Sequence, residues 1–176
     1  MKTIALFGGS FDPPHIAHEE IVKEVLKIND IDKVVLMPTF LNPFKSHSFA
    51  PSKRRLQWLE KIFHLHKDVE ICNYEVTLAK KVSTISSVKY LLQTYKKVYL
   101  IIGADNVASL KKWDNYEELK TLVTFIIATR DGIKIPPNYM KLHIKENISS
   151  TELRANMNED KLSHVCSKEI IEFYKE

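Results

Sequence analysis

The sequence predicts an α/β fold, a doubly wound parallel sheet with helices on both faces and a small C-terminal helical segment. Predicted strands alternate with predicted helices, and the strands are continuous apolar runs, as expected where both faces of a sheet are covered. All four glycines follow a predicted strand: Gly8 and Gly9 the first, Gly103 the fourth and Gly132 the fifth. In a Rossmann-like sheet of order 3-2-1-4-5, ligands bind between the first and fourth strands, so the turns after these strands should face one crevice.

Six strands are predicted from short apolar runs that are bounded by turn-forming or polar residues. They are Lys2–Phe7, Val34–Met37 (closed by Pro38), Val69–Asn73, Val98–Ile102, Val123–Ala128 and a short last strand, Lys141–Ile144. The fourth run is fully apolar, which is typical of a strand that is buried on both faces.

Helices are predicted where apolar residues recur at helical spacing after a residue that can cap a helix. They are His15–Ile28, a helix capped by Ser52, Ile85–Tyr95 after the cap Ser83-Thr84, a turn at Asn106–Leu110, Tyr116–Leu122, a short helix capped by Ser149-Ser150-Thr151, and Lys168–Tyr174. The polar segment Thr39–Pro51 is predicted to be a loop with Lys45 near its middle. A charged segment before Ser83 has no predicted element.

The composition indicates a single globular domain, residues 1–176. Hydrophobic residues make up 44% of the chain and charged residues 27%, which excludes an intrinsically disordered protein. The formal net charge of +4 is too small to indicate a nucleic-acid partner, because the basic residues are mostly dispersed. We interpret the densest basic group, Lys53-Arg54-Arg55, as the solvated face of a helix start, with polyphosphate binding as the alternative.

Nothing in the sequence predicts export or membrane insertion. Cys72 and Cys166 lie far apart and form no C-x-x-C pair, so we expect free thiols in a reducing cytosol. The apolar run at the amino terminus is too short for a signal peptide, and no stretch reaches the ~20 apolar residues of a spanning helix. These features predict a cytoplasmic protein without a membrane partner.

The segment Gly8–His18, with the sequence GGSFDPPHIAH, joins the first apolar run to the first predicted helix. Its two glycines are expected to let the backbone turn sharply. Pro13 and Pro14 suit a first helical turn, and His15 and His18, three residues apart, share one face of that turn. Free N–H groups and the helix dipole favour negative charge at such a position, so the segment predicts an anion-binding site.

Several familiar sites are not indicated by the sequence. It contains neither the Walker pattern nor the G-x-G-x-x-G fingerprint, which argues against a P-loop protein and against a nicotinamide-dependent dehydrogenase. The pair His15 and His18 lacks a third ligand at a familiar spacing, so a metal held directly by these imidazoles is not predicted.

Four motifs taken together resemble those of one enzyme family. The segment Gly9-Ser10-Phe11-Asp12-Pro13-x-His15-x-x-His18 is similar to the signature of nucleotidyltransferases with a HIGH-type motif. Three further motifs narrow the resemblance to bacterial nicotinate mononucleotide adenylyltransferases: Asn42-Pro43-Phe44-Lys45, Ile102-Gly103-Ala104-Asp105 and Ile148-Ser149-Ser150-Thr151-x-x-Arg154. The match covers nearly the whole chain. It implies an enzyme that joins ATP and nicotinate mononucleotide into deamido-NAD and releases pyrophosphate.

The resemblance also implies roles for individual residues. The catalytic residues would be His15, His18, Lys45 and Arg154, which would stabilise charge on the ATP phosphates and on the leaving pyrophosphate. The residues implied in ATP binding are Gly8, Gly9, Ser10, Phe11, His15, His18, Gly103, Asp105, Ser150, Thr151 and Arg154. Those implied in mononucleotide binding are Thr84, Trp113 and Arg130. The implied cofactor is Mg²⁺, bound mainly through the ATP phosphates.

Some of these residues have a structural alternative, and three positions depart from the family pattern. The alternatives are a helix cap for Asp12 or His15, a solvated lysine for Lys45, a core position for Trp113, and a surface ion pair of Arg154 with Glu152 or Glu159. Ala17 stands where the family usually has Gly, Ser83 where an aromatic residue is common, and Phe44 where His is frequent. Ser83 cannot stack on a pyridine ring, which weakens that part of the assignment.

Rival activities differ from the implied one in their motifs. Phosphopantetheine adenylyltransferases typically carry Thr at the position of His15 and lack the ending around Arg154. Cytidylyltransferases for an alcohol phosphate usually have another closing motif, and a nucleotide sensor would not need the intact catalytic set. The sequence leaves open the choice between nicotinate and nicotinamide mononucleotide, and whether the protein forms a homo-oligomer.

Overall fold

A computed structural model describes residues 1–176. The strands are β1 (Thr3–Gly9), β2 (Lys33–Pro38), β3 (Val69–Ile71), β4 (Lys97–Gly103), β5 (Val123–Ala128) and β6 (Met140–Leu142). The α-helices are α1 (Ile16–Val25), α2 (Ser52–Phe63), α3 (Tyr74–Leu78), α4 (Thr84–Leu92), α5 (Tyr116–Leu122), α6 (Ser150–Ala155) and α7 (Ser167–Lys175). Two 3₁₀ helices span Ala104–Lys112 and Glu159–Lys161. None of these helices combines the length and the apolar composition that a bilayer-spanning segment requires.

The six strands form one parallel sheet of order β3-β2-β1-β4-β5-β6. The predicted order 3-2-1-4-5 is confirmed, and β6 extends the sheet beside β5. In the register of the central strands, Phe7 of β1 lies between Leu36 of β2 and Ile101 of β4. The order reverses between β1 and β4, so the carboxyl ends of these two strands border the crevice in which such folds bind ligands.

Each face of the sheet carries its own apolar core, because successive strand residues point to opposite faces. On one face, Ala5 and Phe7 pack in a cluster that includes Val22 of α1, Trp58 of α2 and Ile170 of α7. On the other face, the cluster contains the alternate β1 residues Ile4 and Leu6, with Val88 and Leu91 of α4 and Leu119 of α5. This two-sided covering confirms the doubly wound fold and explains why the strands read as continuous apolar runs.

The predicted elements are present, with differences at their ends and one omission. The bounds of α5 and β5 are as predicted, and Ser83 and Ser149 cap α4 and α6 by accepting hydrogen bonds from the N–H groups of Ser86 and Glu152. The prediction that Ser52 caps the second helix is wrong, since the N-cap is Pro51 and Ser52 is already helical. Helix α3 lies in the charged segment where no element was predicted.

The turn after β1 is made differently from the prediction. Gly8 and Gly9 still belong to the strand, and neither has a positive φ. The chain turns at Phe11 instead, whose φ is 48°. A Cβ on Gly9 would lie 3.3 Å from the Phe11 ring, so this glycine makes room for the ring rather than bending the chain. Helix α1 begins at Ile16, after the two prolines, with His15 as its N-cap residue.

The interpretation of Lys53-Arg54-Arg55 as a solvated face is wrong for Arg55, which is 0% exposed. Its guanidinium donates to three backbone carbonyl oxygens, at 2.9 Å to Ala50, 2.6 Å to Ser10 and 3.0 Å to Phe40. These partners belong to the loop after β1 and to the loop after β2. Arg55 therefore joins the two loops that border the crevice, and it is not available to bind polyphosphate.

Candidate active site

A cleft of about 490 Å³ opens at the carboxyl ends of β1 and β4. All of the residues to which the sequence assigned a role line it: Gly8, Gly9, Ser10, Phe11, His15, His18, Lys45, Thr84, Gly103, Asp105, Trp113, Arg130, Ser150, Thr151 and Arg154. They come from segments that are more than a hundred residues apart in the chain. The doubly wound topology brings them together because all these segments follow the same edge of the sheet.

Unpaired polar atoms concentrate in this cleft. Five buried side-chain atoms of the protein have no hydrogen-bond partner, and four of them belong to cleft residues: His15 Nδ1, Thr39 Oγ1, Glu75 Oε2 and Trp113 Nε1. Since buried polar groups are normally paired in folded proteins, such atoms need an explanation. Their common location indicates a site that a polar ligand completes.

The two histidines of the opening motif stack against each other at the start of α1. Their ring centroids are 3.7 Å apart and the ring planes differ by 19°. The backbone N–H of His15 donates to Nδ1 of His18 at 3.0 Å. Because Nδ1 accepts this bond, a neutral His18 carries its proton on Nε2, so the ring presents a donor on its other side.

Both imidazoles are neutral at physiological pH. Burial, assisted by the positive charge of Arg130, lowers the pKa of His15 from 6.5 to about 3. Burial and the neighbouring His15 hold the pKa of His18 well below 6.5. Aromatic rings also fix the His18 ring, with the Phe11 centroid at 4.8 Å and the Phe7 centroid at 5.8 Å. The site therefore offers oriented, uncharged N–H donors.

Asp12 does not cap α1, so that alternative is wrong. Its carboxylate accepts hydrogen bonds from the backbone N–H groups of Phe49 and Ala50, at 2.8 and 2.9 Å, and from the hydroxyl of Tyr174. One side chain thereby ties the loop after β1 to the loop after β2 and to the C-terminal helix α7. Asp12 is 3% exposed and acts as a structural junction in the wall of the cleft.

Arg154 points from α6 towards the opening motif. Its guanidinium donates to the backbone carbonyl of Asp12 at 2.5 Å and to the Thr151 hydroxyl at 3.4 Å, and it lies 4.2 Å above the centre of the Phe49 ring. The alternative of a surface ion pair with Glu152 or Glu159 is wrong, because Arg154 forms neither contact. The nearby hydroxyl of Ser150 donates to the carbonyl of Pro13 at 2.8 Å, which fastens α6 to the same motif.

Lys45 stands on the exposed loop after β2 and lines the mouth of the cleft. Its backbone N–H donates to the carbonyl of Asn42 at 2.9 Å, whereas its ammonium group forms no ion pair or hydrogen bond within the chain. Phe44 beside it is 67% exposed. Lys45 is thus an unpaired cation at the rim of the cleft. A ligand-binding lysine and a solvated lysine would both have this arrangement, so the structure agrees with either role.

The opposite wall of the cleft follows β4. Asp105, at the start of the 3₁₀ helix, lies 3.4 Å from Nη1 of Arg130, which follows β5. A Cβ on Gly103 would come within 2.7 Å of the Asp105 carboxylate, so only glycine leaves this carboxylate in its place. A negative and a positive side chain are therefore held together on this wall.

The first turn of α4 and the indole of Trp113 form another part of the wall. The N–H groups of Thr84 and Ile85, at the first two helical positions, have no acceptor in the chain. Trp113 is half-buried against the core, and its Nε1 is unpaired. The core alternative for Trp113 therefore holds only in part: the indole packs against the core, but the same ring also lines the cleft.

Glu75 is a cleft residue that the sequence did not single out. It is 6% exposed, and Oε1 accepts a hydrogen bond from the Ser87 hydroxyl at 2.6 Å. Burial raises its pKa from 4.5 to about 7, although Ser87 and Arg55 act in the opposite direction. No signal in the sequence distinguishes Glu75 from the other charged residues of its segment, because α3 was not recognised as an element.

No group of three or more His, Cys, Asp or Glu side chains in the structure is placed to hold a metal ion. A divalent cation in this cleft would need ligands from a substrate and from water.

Comparisons with known proteins agree on one group of enzymes. A family described as cytidylyltransferase-like matches residues 6–156. A probable nicotinate-nucleotide adenylyltransferase of Sulfurimonas denitrificans is 57% identical over 176 residues, which are 100% of this chain and 97% of the relative. The corresponding Nitratiruptor sp. protein is 47% identical over 174 residues, covering 98% of each chain.

Solved structures support the same fold. A Plasmodium falciparum nicotinic acid mononucleotide adenylyltransferase complexed with NaAD matches with a TM-score of 0.82 at 23% identity, covering 99% of this chain and 98% of that one. The same enzyme complexed with APC gives a TM-score of 0.76 at 21% identity. At these identities the likeness establishes the fold alone.

Proposed function

The chain belongs to the nicotinate-nucleotide adenylyltransferase family, and we propose on that basis that it joins ATP and nicotinate mononucleotide into deamido-NAD with release of pyrophosphate. The observation that supports this most strongly is the pair of neutral, stacked imidazoles at the start of α1, with Lys45 and Arg154 on the same cleft. The pair suits an anionic substrate, because its oriented donors meet a helix N-terminus.

The reaction requires little from the protein in the way of proton transfer. The mononucleotide phosphate has a second pKa near ~6, so its attacking oxygen is already largely ionised at neutral pH. It attacks the α-phosphorus of ATP in line, and pyrophosphate leaves without a covalent enzyme intermediate. Rate enhancement then depends on positioning two anions and on stabilising the charge that develops between them.

Several polar groups of the cleft have a part in this scheme. The Nε2–H of His18 and the ring of His15 donate to oxygens of the ATP phosphates and of the transition state. Lys45 and Arg154 neutralise the pyrophosphate side, and this role is supported by the bonds to Asp12 and Thr151 that hold the Arg154 guanidinium at the cleft. The backbone of the turn after β1 and of the segment Ser150–Thr151 accommodates the triphosphate.

The wall formed by β4 and α4 would hold the nucleosides. Asp105 suits a ribose hydroxyl, and its contact with Arg130 keeps it oriented. The free N–H groups at Thr84 suit the carboxylate of nicotinate, since they combine unpaired donors with the positive end of a helix dipole. Trp113 offers an indole face on which the pyridine ring would stack.

Mg²⁺ is the expected cofactor and would enter on the phosphates of ATP. The side chains of the cleft fit that arrangement, because no cluster of protein ligands competes with the phosphate oxygens for the ion. When bound, the ion neutralises phosphate charge and orients the leaving group.

The test is a pyrophosphate-release assay with purified protein, ATP, Mg²⁺ and nicotinate mononucleotide. We expect stoichiometric pyrophosphate and deamido-NAD. Phosphopantetheine serves as the matched alternative acceptor in a parallel reaction. Adenylylation of phosphopantetheine without adenylylation of the pyridine nucleotide would overturn the proposal.

A further inference from the structure

Glu75 is a buried acid on the cleft wall for which the proposed mechanism has no use. It is one of the four cleft residues with an unpaired buried atom, Oε2, while Oε1 is bonded to Ser87. One carboxyl oxygen of Glu75 thus has a hydrogen-bond partner in the protein, and the other has none. At a cleft wall, this indicates that a bound ligand provides the second hydrogen-bond partner.

The bond to Ser87 fixes where this carboxyl lies. Ser87 follows Thr84 by three residues in α4, so both side chains are on one face of the helix, separated by a rise of ~4.5 Å along its axis. Helical side chains lean towards the N-terminus, which brings the Ser87 hydroxyl towards the first turn. The Glu75 carboxyl therefore lies beside the N-terminal part of α4, the end of the helix that carries the unpaired N–H groups of Thr84 and Ile85.

The charge of Glu75 must then matter for whatever binds at these N–H groups. Two ionised carboxylates so close in a partly desolvated cleft repel each other, and one of them takes up a proton if both are to stay. A carboxamide has the opposite requirement, because its NH₂ group needs an acceptor and an ionised carboxylate is a strong one.

No neighbouring group of the protein fixes the protonation state of Glu75, so a bound ligand can determine it. From α2, Arg55 faces it, but Arg55 is committed to three backbone carbonyls and forms no hydrogen bond or ion pair with it. Cys72, just after β3, is also near, and burial raises the pKa of its thiol, so it stays uncharged. From α4, the Ser87 hydroxyl donates a hydrogen bond to it. Burial brings the pKa of Glu75 to about 7, where both forms are accessible.

We propose that Glu75 is a specificity-determining residue which favours a ring carboxylate on the mononucleotide when it is protonated and a ring carboxamide when it is ionised. In the protonated form, the Oε2 hydroxyl donates to an oxygen of the nicotinate carboxylate. In the ionised form, Oε2 accepts from the amide of nicotinamide. This inference rests on the adenylyltransferase function proposed above.

The experiment measures kcat/KM for nicotinate mononucleotide and for nicotinamide mononucleotide from pH 6 to pH 9 and follows their ratio. The ratio cancels the titration of ATP, of the shared 5′-phosphate and of the histidines, because these affect both reactions alike. If nicotinamide mononucleotide is not turned over, its inhibition constant, measured in competition with nicotinate mononucleotide, is used in place of its kcat/KM. We expect the acid-to-amide ratio to fall at least tenfold across this range in the wild type.

The variant Glu75→Gln removes the titration and keeps the size and a donor. We expect its ratio to change by less than about twofold over the same range. Glu117→Gln, which neutralises an exposed acid on α5, is the matched control and should retain the wild-type fall. A flat ratio in the wild type, or an equal fall in Glu75→Gln, would overturn the assignment.

Ser87→Ala provides an independent variant in case Glu75→Gln does not fold. The Ser87 hydroxyl stabilises the ionised form of Glu75, so its loss should move the midpoint of the fall to higher pH. An unmoved midpoint contradicts the proposal. If neither mononucleotide releases pyrophosphate, the proposed function fails and this inference fails with it. Turnover with a flat ratio rejects the role of Glu75 alone.

Discussion

At the scale of single residues, the site depends on imidazoles that are kept uncharged. Burial beside a helix start and a nearby Arg130 would make two imidazolium ions costly. Neutrality does not prevent them from binding phosphate, because an imidazole that accepts at Nδ1 still donates at Nε2. The bond from the His15 backbone to His18 Nδ1 selects that tautomer, so the donor direction is set before the substrate arrives.

His18→Ala should lower kcat by about 10²–10³-fold, which is the usual effect of removing one preorganised donor to a developing charge. The fold should persist, since the Phe7 and Phe11 rings remain packed in the core. Steady-state rates give the first quantity, and circular dichroism with urea unfolding gives the second. His143→Ala, an exposed histidine outside the cleft, is the control. A near-normal rate in His18→Ala would remove this imidazole from the mechanism.

The buried imidazoles should also make the free protein sensitive to acid. The unfolded chain protonates them below pH 6.5 and the folded chain does not, so the free energy of unfolding falls as the pH drops below about 6.5. Each imidazole contributes up to ~1.4 kcal/mol per pH unit. Glu75 opposes this between pH 4.5 and 7, because the folded state then holds the proton that the unfolded state has lost.

Comparison with His15→Gln isolates one of these contributions. Urea unfolding at pH 7 and pH 5 should show a loss of stability in the wild type that is larger by about 2 kcal/mol than the loss in the variant. His143→Gln should behave as the wild type does. An equal loss in His15→Gln and the wild type would show that His15 is protonated in the folded state at pH 5.

At the scale of elements, a single carboxylate connects α1 to the segment that leads into α6. Glu20 of α1 accepts hydrogen bonds from the consecutive backbone N–H groups of Lys145 and Glu146, with the shortest distance 2.5 Å to Lys145. A few residues further on, Ser150 and Arg154 meet the opening motif. The helix that carries His18 thus also sets the position of the segment on the other side of the proposed triphosphate site.

Glu20→Ala should therefore weaken the binding of ATP more than the binding of the mononucleotide. We expect KM for ATP to rise about tenfold, equivalent to about 1.4 kcal/mol, with a smaller change in KM for the mononucleotide. Glu20→Gln should recover part of the loss, because the amide oxygen still accepts one of the two N–H groups. Glu24→Ala on the same helix is the control, since Glu24 pairs only with exposed Lys27. Equal increases in both KM values would contradict a local effect on ATP.

The elements that were predicted well from the sequence are those in which burial determines the order of apolar and polar residues. The central strands are covered on both faces, and this dictates apolar runs such as Val98–Ile102 irrespective of their partners. Helix α3 could not be found in this way, because its five residues show less than two turns of periodicity and lie among charged residues. Its importance comes from its tertiary position, because it places Glu75 within hydrogen-bond distance of Ser87 in α4.

At the scale of the whole molecule, the site residues could be listed from motifs, but the framework that holds them could not. The sequence suggested a helix cap for Asp12 and a solvated position for Arg55, whereas both side chains are buried and join separate segments. Together they join the loop after β1, the loop after β2 and helix α7, through Tyr174. These contacts link positions that are 37 to 162 residues apart, and no local pattern encodes such a pairing.

Arg55 and its neighbour Arg54 offer a direct test of this framework. Arg55→Ala leaves three backbone carbonyls without their donor and removes a fully buried side chain, so we expect a loss of about 3–5 kcal/mol in the free energy of unfolding. Arg54→Ala removes only an exposed contact of 3.5 Å with Glu169 and should cost less than about 1 kcal/mol. Arg55→Lys should stay close to the alanine variant, because one ammonium group cannot reproduce the planar fork that reaches three carbonyls. Urea unfolding of the three variants measures these differences, and similar losses at positions 54 and 55 would show that the two loops are held together by other contacts.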